Sequence, residues 1–341
     1  LQSAVVAARD GETILVKAGC YAPISTGRKS LVIRSVDGAN ATIIDGGGAL
    51  RCATLGDDCT LLEGFTLQNG FAENGGGVSG GRLNRCIISG NTAENKGGGA
   101  YKCRLANCVL SRNYARFYNG GGAHDCQLGN CTLVGNAAGE EGGGISRCVA
   151  TNCIVWDNLA ASMANYNASQ FRYSCMTPLP YGDEGGDNIS GNPQFVDYVN
   201  GDFRLRANSP CNDAGDSNYD SGDADLAGNP RREGPAIDMG AYEGAVAGYV
   251  ISGRVQGDGA LLPMTAIVPP GGSSRFEAVE NGSAFLHFLV DGEIVSESSN
   301  YTWANVQADG VITAVFATNT WYVDAARPDD NGDGRTWETA K

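Results

Sequence analysis

Carboxylates are the residues in this chain whose types and spacing could do chemistry. The run DAGDSNYDSGDADLAGN places Asp213, Asp216, Asp220, Asp223 and Asp225 within thirteen residues. Hard carboxylate and carbonyl oxygens at that density suit Ca²⁺. Asp329, Asn331 and Asp333, followed by Gly334, fit the first half of an EF-hand-like loop, D-x-N-x-D-G. Ala340 stands where that loop needs its closing Glu, so the EF-hand pattern fails. A solvated acidic loop is the competing identity of both stretches, and no other cofactor is implied.

Acid–base work on a polysaccharide would need carboxylates, often with a Lys or Arg, converging on one face walled by long loops. The candidates are Asp57, Asp58, Glu63, Glu73, Glu94, Asp125, Glu140 and Glu141. They recur near turn signals, and their spacing gathers no carboxylate pair with a cation. Asp57 and Asp58 with Arg51 and Arg82 make the best cluster, against which stands a solvated turn. The expectation is a chain that is not an enzyme. Twelve Cys raise metal chemistry too, but there is no CxxC pair, and only His124 and His287 could assist. His287 lies in a strand-like run, where an ordinary packed or surface role is expected.

The elements that must position these residues come from a repeat. A Gly triplet recurs at Gly75–Gly77, Gly97–Gly99, Gly120–Gly122 and Gly142–Gly144, in steps of 22, 23 and 22 residues. Cys86, Cys108, Cys131 and Cys153 follow in the same steps, and a second column runs through Cys103, Cys126 and Cys148. Asn91, Asn113, Asn136 and Asn158 form a third, five residues past each Cys of the first column. Identical residues in register at this period indicate a stacked solenoid, each coil buried by its neighbours.

Alternation in short β-branched segments points Cys86 and Ile88 inward and Ile87 outward. Cys108 and Leu110, Cys131 and Leu133, and Phe65 and Leu67 point inward by the same rule. Gly triplets leave no stretch long enough for the helices of a helical solenoid. The expected fold is all-β: a right-handed parallel β-helix of 22–23-residue coils, followed by a small all-β module. The Asn column reads as an amide ladder at a turn, since Asn tolerates left-handed geometry and bonds to the Asn above and below. Same-column Cys one coil apart would lie near the short end of the disulfide range, so disulfides and stacked free thiols both remain open.

Composition narrows the partners. Gly numbers 50 against 11 Pro, which is turn chemistry. The 24 basic and 38 acidic residues give a net charge of −14 with no basic stripe, so nucleic acid and anionic membrane are poor partners. No apolar run is long enough to insert in a bilayer.

Three stretches carry family resemblances. The opening LQSAVVAARDGETILVKAGCY and the stretch to Glu243 resemble exported bacterial right-handed β-helix repeat proteins, a group related in fold to pectate lyases. The opening corresponds to a capping helix with Leu1, Val5 and Ala8 on its apolar stripe, then a turn at Asp10-Gly11 into a strand at Thr13–Val16. The triplet-bearing repeats also resemble the GGA(I/L/V) and FxxN motifs of chlamydial polymorphic membrane proteins. NPQFVDYVNGDFRLRANSPCNDAGD and DADLAGNPRREGPAIDMGAYE are similar to the closing segment of the exported family. From Gly248 to Phe316, VPPGGSSRFEA, FLVDGEIV and YTWANVQADGVITAVFA resemble an internalin-type B-repeat, which implies a spacer or adhesive unit.

The implied domains are 1–243 (β-helix with N-terminal cap), 244–319 (B-repeat-like module) and 320–341 (lead-in strand of a following β-helix). In that reading Trp321, Tyr322 and Val323 add a strand near Ile14 and Val16 of another unit, and Trp337 packs beside the helix containing Val5. Two functions follow from different classes. One is a structural or adhesive unit of an extracellular or cell-surface fibre, whose partners are copies of itself and surface glycans. The other is a carbohydrate-active β-helix enzyme or glycan-binding module of an exported protein.

Overall fold

The structure, a computed structural model, describes residues 1–56, 59–181, 183, 187–219 and 222–317. It forms two units: Leu1–Phe195 with Phe203–Ala245, and Val196–Asp202 with the chain from Val246 onward.

The first unit is a parallel β-helix of four sheets. One coil runs through Arg82–Asn84 in the first sheet, Ile87–Ser89 in the second, Thr92–Lys96 in the fourth and Ala100–Tyr101 in the third. The next coil then begins at Arg104–Ala106. The first and second sheets have eight strands each, the third seven and the fourth four. Pairing is parallel, so like residues stack: Leu83 on Leu105 on Leu128, and Ile88 on Leu110 on Leu133. These columns are wholly or almost wholly buried, as are Phe65, Leu67 and the in-phase cysteines. Burying each large apolar side chain stabilises the rod by about 1.5–3 kcal/mol.

Short strands need abrupt corners, and single left-handed residues supply them. Arg85, Asn107, Asn130 and Asn152 have φ between 48° and 54°, each just before a Cys of the first column. Lys102, Asp125 and Arg147 do the same before the second column. At the Asn corner the left-handed residue is not the Asn itself, as its type had suggested. It is the residue before it: Gly90, Arg112, Gly135 or Asp157. The Asn must turn its amide into the core, so the preceding residue makes the bend.

The Gly triplet serves three needs at once. Its first Gly is left-handed, as at Gly97 with φ 63°. A Cβ on the second would lie 2.1 Å from Ala137 O at Gly121, and on the third 2.6 Å from Gly122 O and 3.0 Å from the Asn113 amide at Gly99.

The N-terminal end is covered by a helix, Gln2–Ala7, that buries Val5. Gln2 imitates a strand, its Nε2 donating to Ser25 O and its Oε1 accepting from Ser25 N. Lys29 Nζ donates to Val5 O, Val6 O and Ala8 O within 2.9 Å, satisfying the helix's last carbonyls. The strand after the Asp10-Gly11 turn is Thr13–Val16, as expected.

Residues 203–219 and 222–243 return across the outer face of the second sheet. Phe203 and Ala241 cover Val109 and Val134, while Leu205, Cys211 and Met239 cover Ile154. Outward positions there are therefore not uniformly exposed: Ile87 is half-buried, but Val109, Thr132 and Ile154 are buried. The return segment is pinned by Ala241 N to Thr132 Oγ1 (3.0 Å), Asn130 Nδ2 to Asp238 O (3.1 Å) and Asp216 N to Asn152 Oδ1 (2.7 Å).

The second unit is a small all-β module. Its five-stranded sheet runs Thr265–Val268, Tyr249–Gln256, Gly310–Phe316, Phe285–Val290, Glu293–Ser296, and a three-stranded sheet joins Gly259–Leu262, Ser274–Glu280 and Asn300–Trp303. Phe276, Phe288, Ile312 and Phe316 fill its core. Asp291 and Gly292, both with positive φ, turn one hairpin. His287 is half-buried within a strand. No helix among the described residues is long and apolar enough to cross a membrane.

Candidate functional site

The columns of like polar residues are inside the rod. Asn113 Nδ2 donates to Ile88 O and to Asn136 Oδ1, both at 2.9 Å, and its Oδ1 accepts from Asn91 N at 3.1 Å and Asn91 Nδ2 at 3.0 Å. Asn136 repeats the pattern toward Asn158. The ladder ends on different residues. Asn158 Nδ2 donates to Asn165 Oδ1, and at the other end Asn91 Oδ1 accepts from Gly70 N and the Cys52 thiol.

All twelve cysteines are free thiols. Cys86 N donates to Cys108 Sγ, Cys103 N to Cys126 Sγ, Cys126 N to Cys148 Sγ and Cys131 N to Cys153 Sγ, at 3.3–3.4 Å. Ser169 and Ser174 take the next places, each hydroxyl accepting from the Cys148 or Cys153 amide. Burial in the apolar core pushes the Cys103, Cys108, Cys148 and Cys153 thiols well up.

The candidate acids are dispersed. Glu63, almost buried, bridges Arg34 and Arg85 at 2.5 and 2.8 Å and accepts from Asn84. Although burial opposes ionisation, the two guanidinium groups prevail and hold its carboxyl below the usual range. Glu73 accepts from Asn95, Asp125 from Arg147, and Glu141 from Asn167 and Ser162. Glu94 and Glu140 are exposed. Arg51 is spent on Gly75 O, Asn74 O and Thr54 Oγ1. Asp57 and Asp58 lie outside the described residues, so their cluster with Arg51 and Arg82 does too.

The acidic run is likewise divided. Asp225 is buried and accepts from Asn229 N and Glu243 N, Asp213 accepts from Ala236 N, and Asp216 accepts from Asn218. Asp223 is exposed. Among the described residues no three His, Cys, Asp or Glu side chains are grouped to hold a metal ion. Asp220, Asp329, Asn331 and Asp333 lie outside the described residues, as do Trp321, Tyr322, Val323 and Trp337. Of the remaining residues assigned to assembly, Val5 and Val16 are buried and Ile14 is half-buried.

Two outward faces of the coils carry clefts. On the first sheet Arg82 and Arg104 stack in register beside Asn84, Gln127 and Tyr219, around a groove of about 500 Å³. On the third sheet the outward column runs Tyr101, His124, Ser146, Asn167. The Tyr101 and His124 rings stack at 5.9 Å, and Ser146 lines an open cleft of about 550 Å³ with Asn119, Asp125, Arg147 and Asn167. His124 had been weighed only as a zinc ligand. The signal for its column was present, because each member stands two residues past a triplet's last Gly or its in-phase equivalent, Asn165.

No family model matches the chain, and no curated protein does. Among solved structures, the crystal structure of pectate lyase Pel9A is similar at 13% identity and a TM-score of 0.40, over 71% of this chain and 90% of that one. The parallel β-helix itself is read from the strand pairing described above.

Proposed function

We propose that this chain is a structural and adhesive unit of an extracellular or cell-surface assembly, of the exported β-helix repeat kind with a B-repeat-like spacer. The observation that carries the reading is the fate of the repeated polar residues. The Asn column is committed to coil-to-coil hydrogen bonds inside the rod, and single-residue corners keep the repeating coils short. A sequence that devotes its repeated polar positions to the stack favours length and rigidity over chemistry. Partners of such a unit are further copies of itself and surface glycans.

A second reading, a carbohydrate-active or glycan-binding β-helix, is favoured by the in-register Arg82 and Arg104 above the first-sheet groove. One pair of measurements separates the two. Electron microscopy of native material should show linear assemblies outside the cell, and purified protein should leave polyuronates intact. Unsaturated or reducing sugar ends that appear with the wild type and vanish in Arg104→Ala would replace the first reading with the second.

A further inference from the structure

The fourth sheet carries an exposed apolar row on its outer face. Its strands Phe71–Asn74, Thr92–Lys96, Tyr114–Ala115 and Ala137–Ala138 pair in register. Ala93, Ala115 and Ala138 are buried. Alternation therefore sets Phe71, Thr92, Tyr114 and Ala137 together on the outer face. A bridge from Ala137 to Leu159 carries the row one coil further, and Phe71 N donates to Leu50 O in the coil before. Tyr114 is 41% exposed, Leu50 61%, Leu159 66% and Phe117, beside Tyr114, 63%. Single exposed apolar residues are ordinary, but a continuous row of them marks an interaction surface.

Size and charge select the partner. Phe71, Tyr114 and Leu159 are large, while Thr92 and Ala137 between them are small. Bulk thus recurs at every second coil, or about 9.6 Å. Such a row fits a copy of itself that runs the other way, displaced by one coil. Beside the row Glu94 and Arg116 lie on adjacent strands, where Arg116 N donates to Ala93 O. Both are exposed, and neither forms an ion pair with another described residue. The Arg116 guanidinium lies 5.4 Å from the centre of the half-buried Phe71 ring, so it sits at the edge of the row. A sugar would meet rings only at Phe71 and Tyr114, whereas Ala137 and Leu159 offer it neither a ring nor a hydrogen bond.

We propose that this face is a side-by-side contact between two copies of the chain, antiparallel about a two-fold axis between the coils of Thr92 and Tyr114. Tyr114 of each copy fills the gap over Thr92 of the other, Phe71 fills that over Ala137, and Leu159 meets Leu50. The same axis sets Glu94 of each copy opposite Arg116 of the other, which makes two charge-complementary pairs. A parallel two-fold pairing would instead set Phe71 on Phe71 and Thr92 on Thr92, bulk against bulk. The contact joins rods by their flanks, so it goes beyond linear assembly and does not depend on it.

Sedimentation velocity of the purified full chain over a range of concentrations reads the pairing, and electron microscopy reads linear assembly separately. A reversible dimer is expected. Tyr114→Glu should weaken it about tenfold or more. Glu94→Arg and Arg116→Glu should each weaken it too, and the chain carrying both exchanges should regain it. The exchanges alter only exposed side chains, so they test the contact even if Tyr114→Glu fails to fold. A chain that is monomeric at every concentration, a dimer untouched by Tyr114→Glu, or a double exchange that restores nothing would overturn the contact. A monomer that binds oligosaccharides and loses them in Tyr114→Glu would also overturn it, by giving the face to glycans. Linear filaments should survive Tyr114→Glu, so failure of the flank contact and failure of the reading above are told apart.

Discussion

Asn113 uses all the hydrogen-bonding capacity of its amide, two donors and two acceptors, within a fully buried column. Asn113→Asp keeps the shape but removes both donors and sets a carboxylate against Ile88 O and Asn136 Oδ1. A loss of about 3 kcal/mol or more is expected in urea unfolding at neutral pH. A loss under about 1 kcal/mol would mean that the ladder contributes little. The columns were legible in the sequence because a β-solenoid sets each residue against its own repeat. The corner residues were not, because Gly, Arg and Asp all occupy them and the stack, not the residue type, holds them left-handed. The closing residues Asn165, Ser169 and Ser174 also escaped notice. They change residue type, and Asn165 follows Asn158 by only seven residues.

At the scale of elements, the coils are a local inference and the return segment is not. Alternation assigns Ile87 and Val109 to the same outward column, and they are indeed register partners. Phe203 and Ala241 then bury Val109 to 3% exposure, while Ile87 stays half-buried. Val109→Asp should therefore cost about 3 kcal/mol or more, and Ile87→Asp about 1 kcal/mol or less, in thermal or denaturant unfolding. Equal costs would show that the second core over this sheet does not form. Nothing in a 22-residue period announces that core, because its partners lie some hundred residues downstream and outside the repeat, as the bond from Ala241 N to Thr132 Oγ1 illustrates. The candidate sites were less legible still. The acids that looked free in the sequence are taken up by arginines and backbone amides, as Glu63 and Asp225 are.

The stability of the whole molecule should respond to pH through the return segment. Glu243 is buried beside Arg231, with Nε and Oε2 3.7 Å apart. Desolvation outweighs that cation and pushes the Glu243 carboxyl from 4.5 up to about 7. Asp238 is raised as well, again chiefly by burial. A carboxyl with a raised folded-state pKa holds its proton more tightly in the native state. Its stabilisation is complete below 4.5 and is lost as pH rises toward about 7. His124, lowered by burial, acts in the opposite sense, since stability falls as pH drops below its ordinary 6.5. Comparison with Glu243→Gln isolates the Glu243 contribution: the melting-temperature advantage of that variant over wild type should grow between pH 5 and 7. An advantage that stays flat would place the Glu243 carboxyl outside this range. The same segment acts as a length gauge. It is fastened to Asn130, Thr132 and Asn152, which belong to two consecutive coils. A free-running solenoid can gain or lose a coil at almost any position, since each new one meets a copy of its old neighbour. Here an extra coil between Asn130 and Asn152 would part the two anchors by a further 4.8 Å or so, more than a hydrogen bond can span. The coil count in this stretch is therefore fixed by a strand of chain that lies outside the repeat, and the rod carries its own measure.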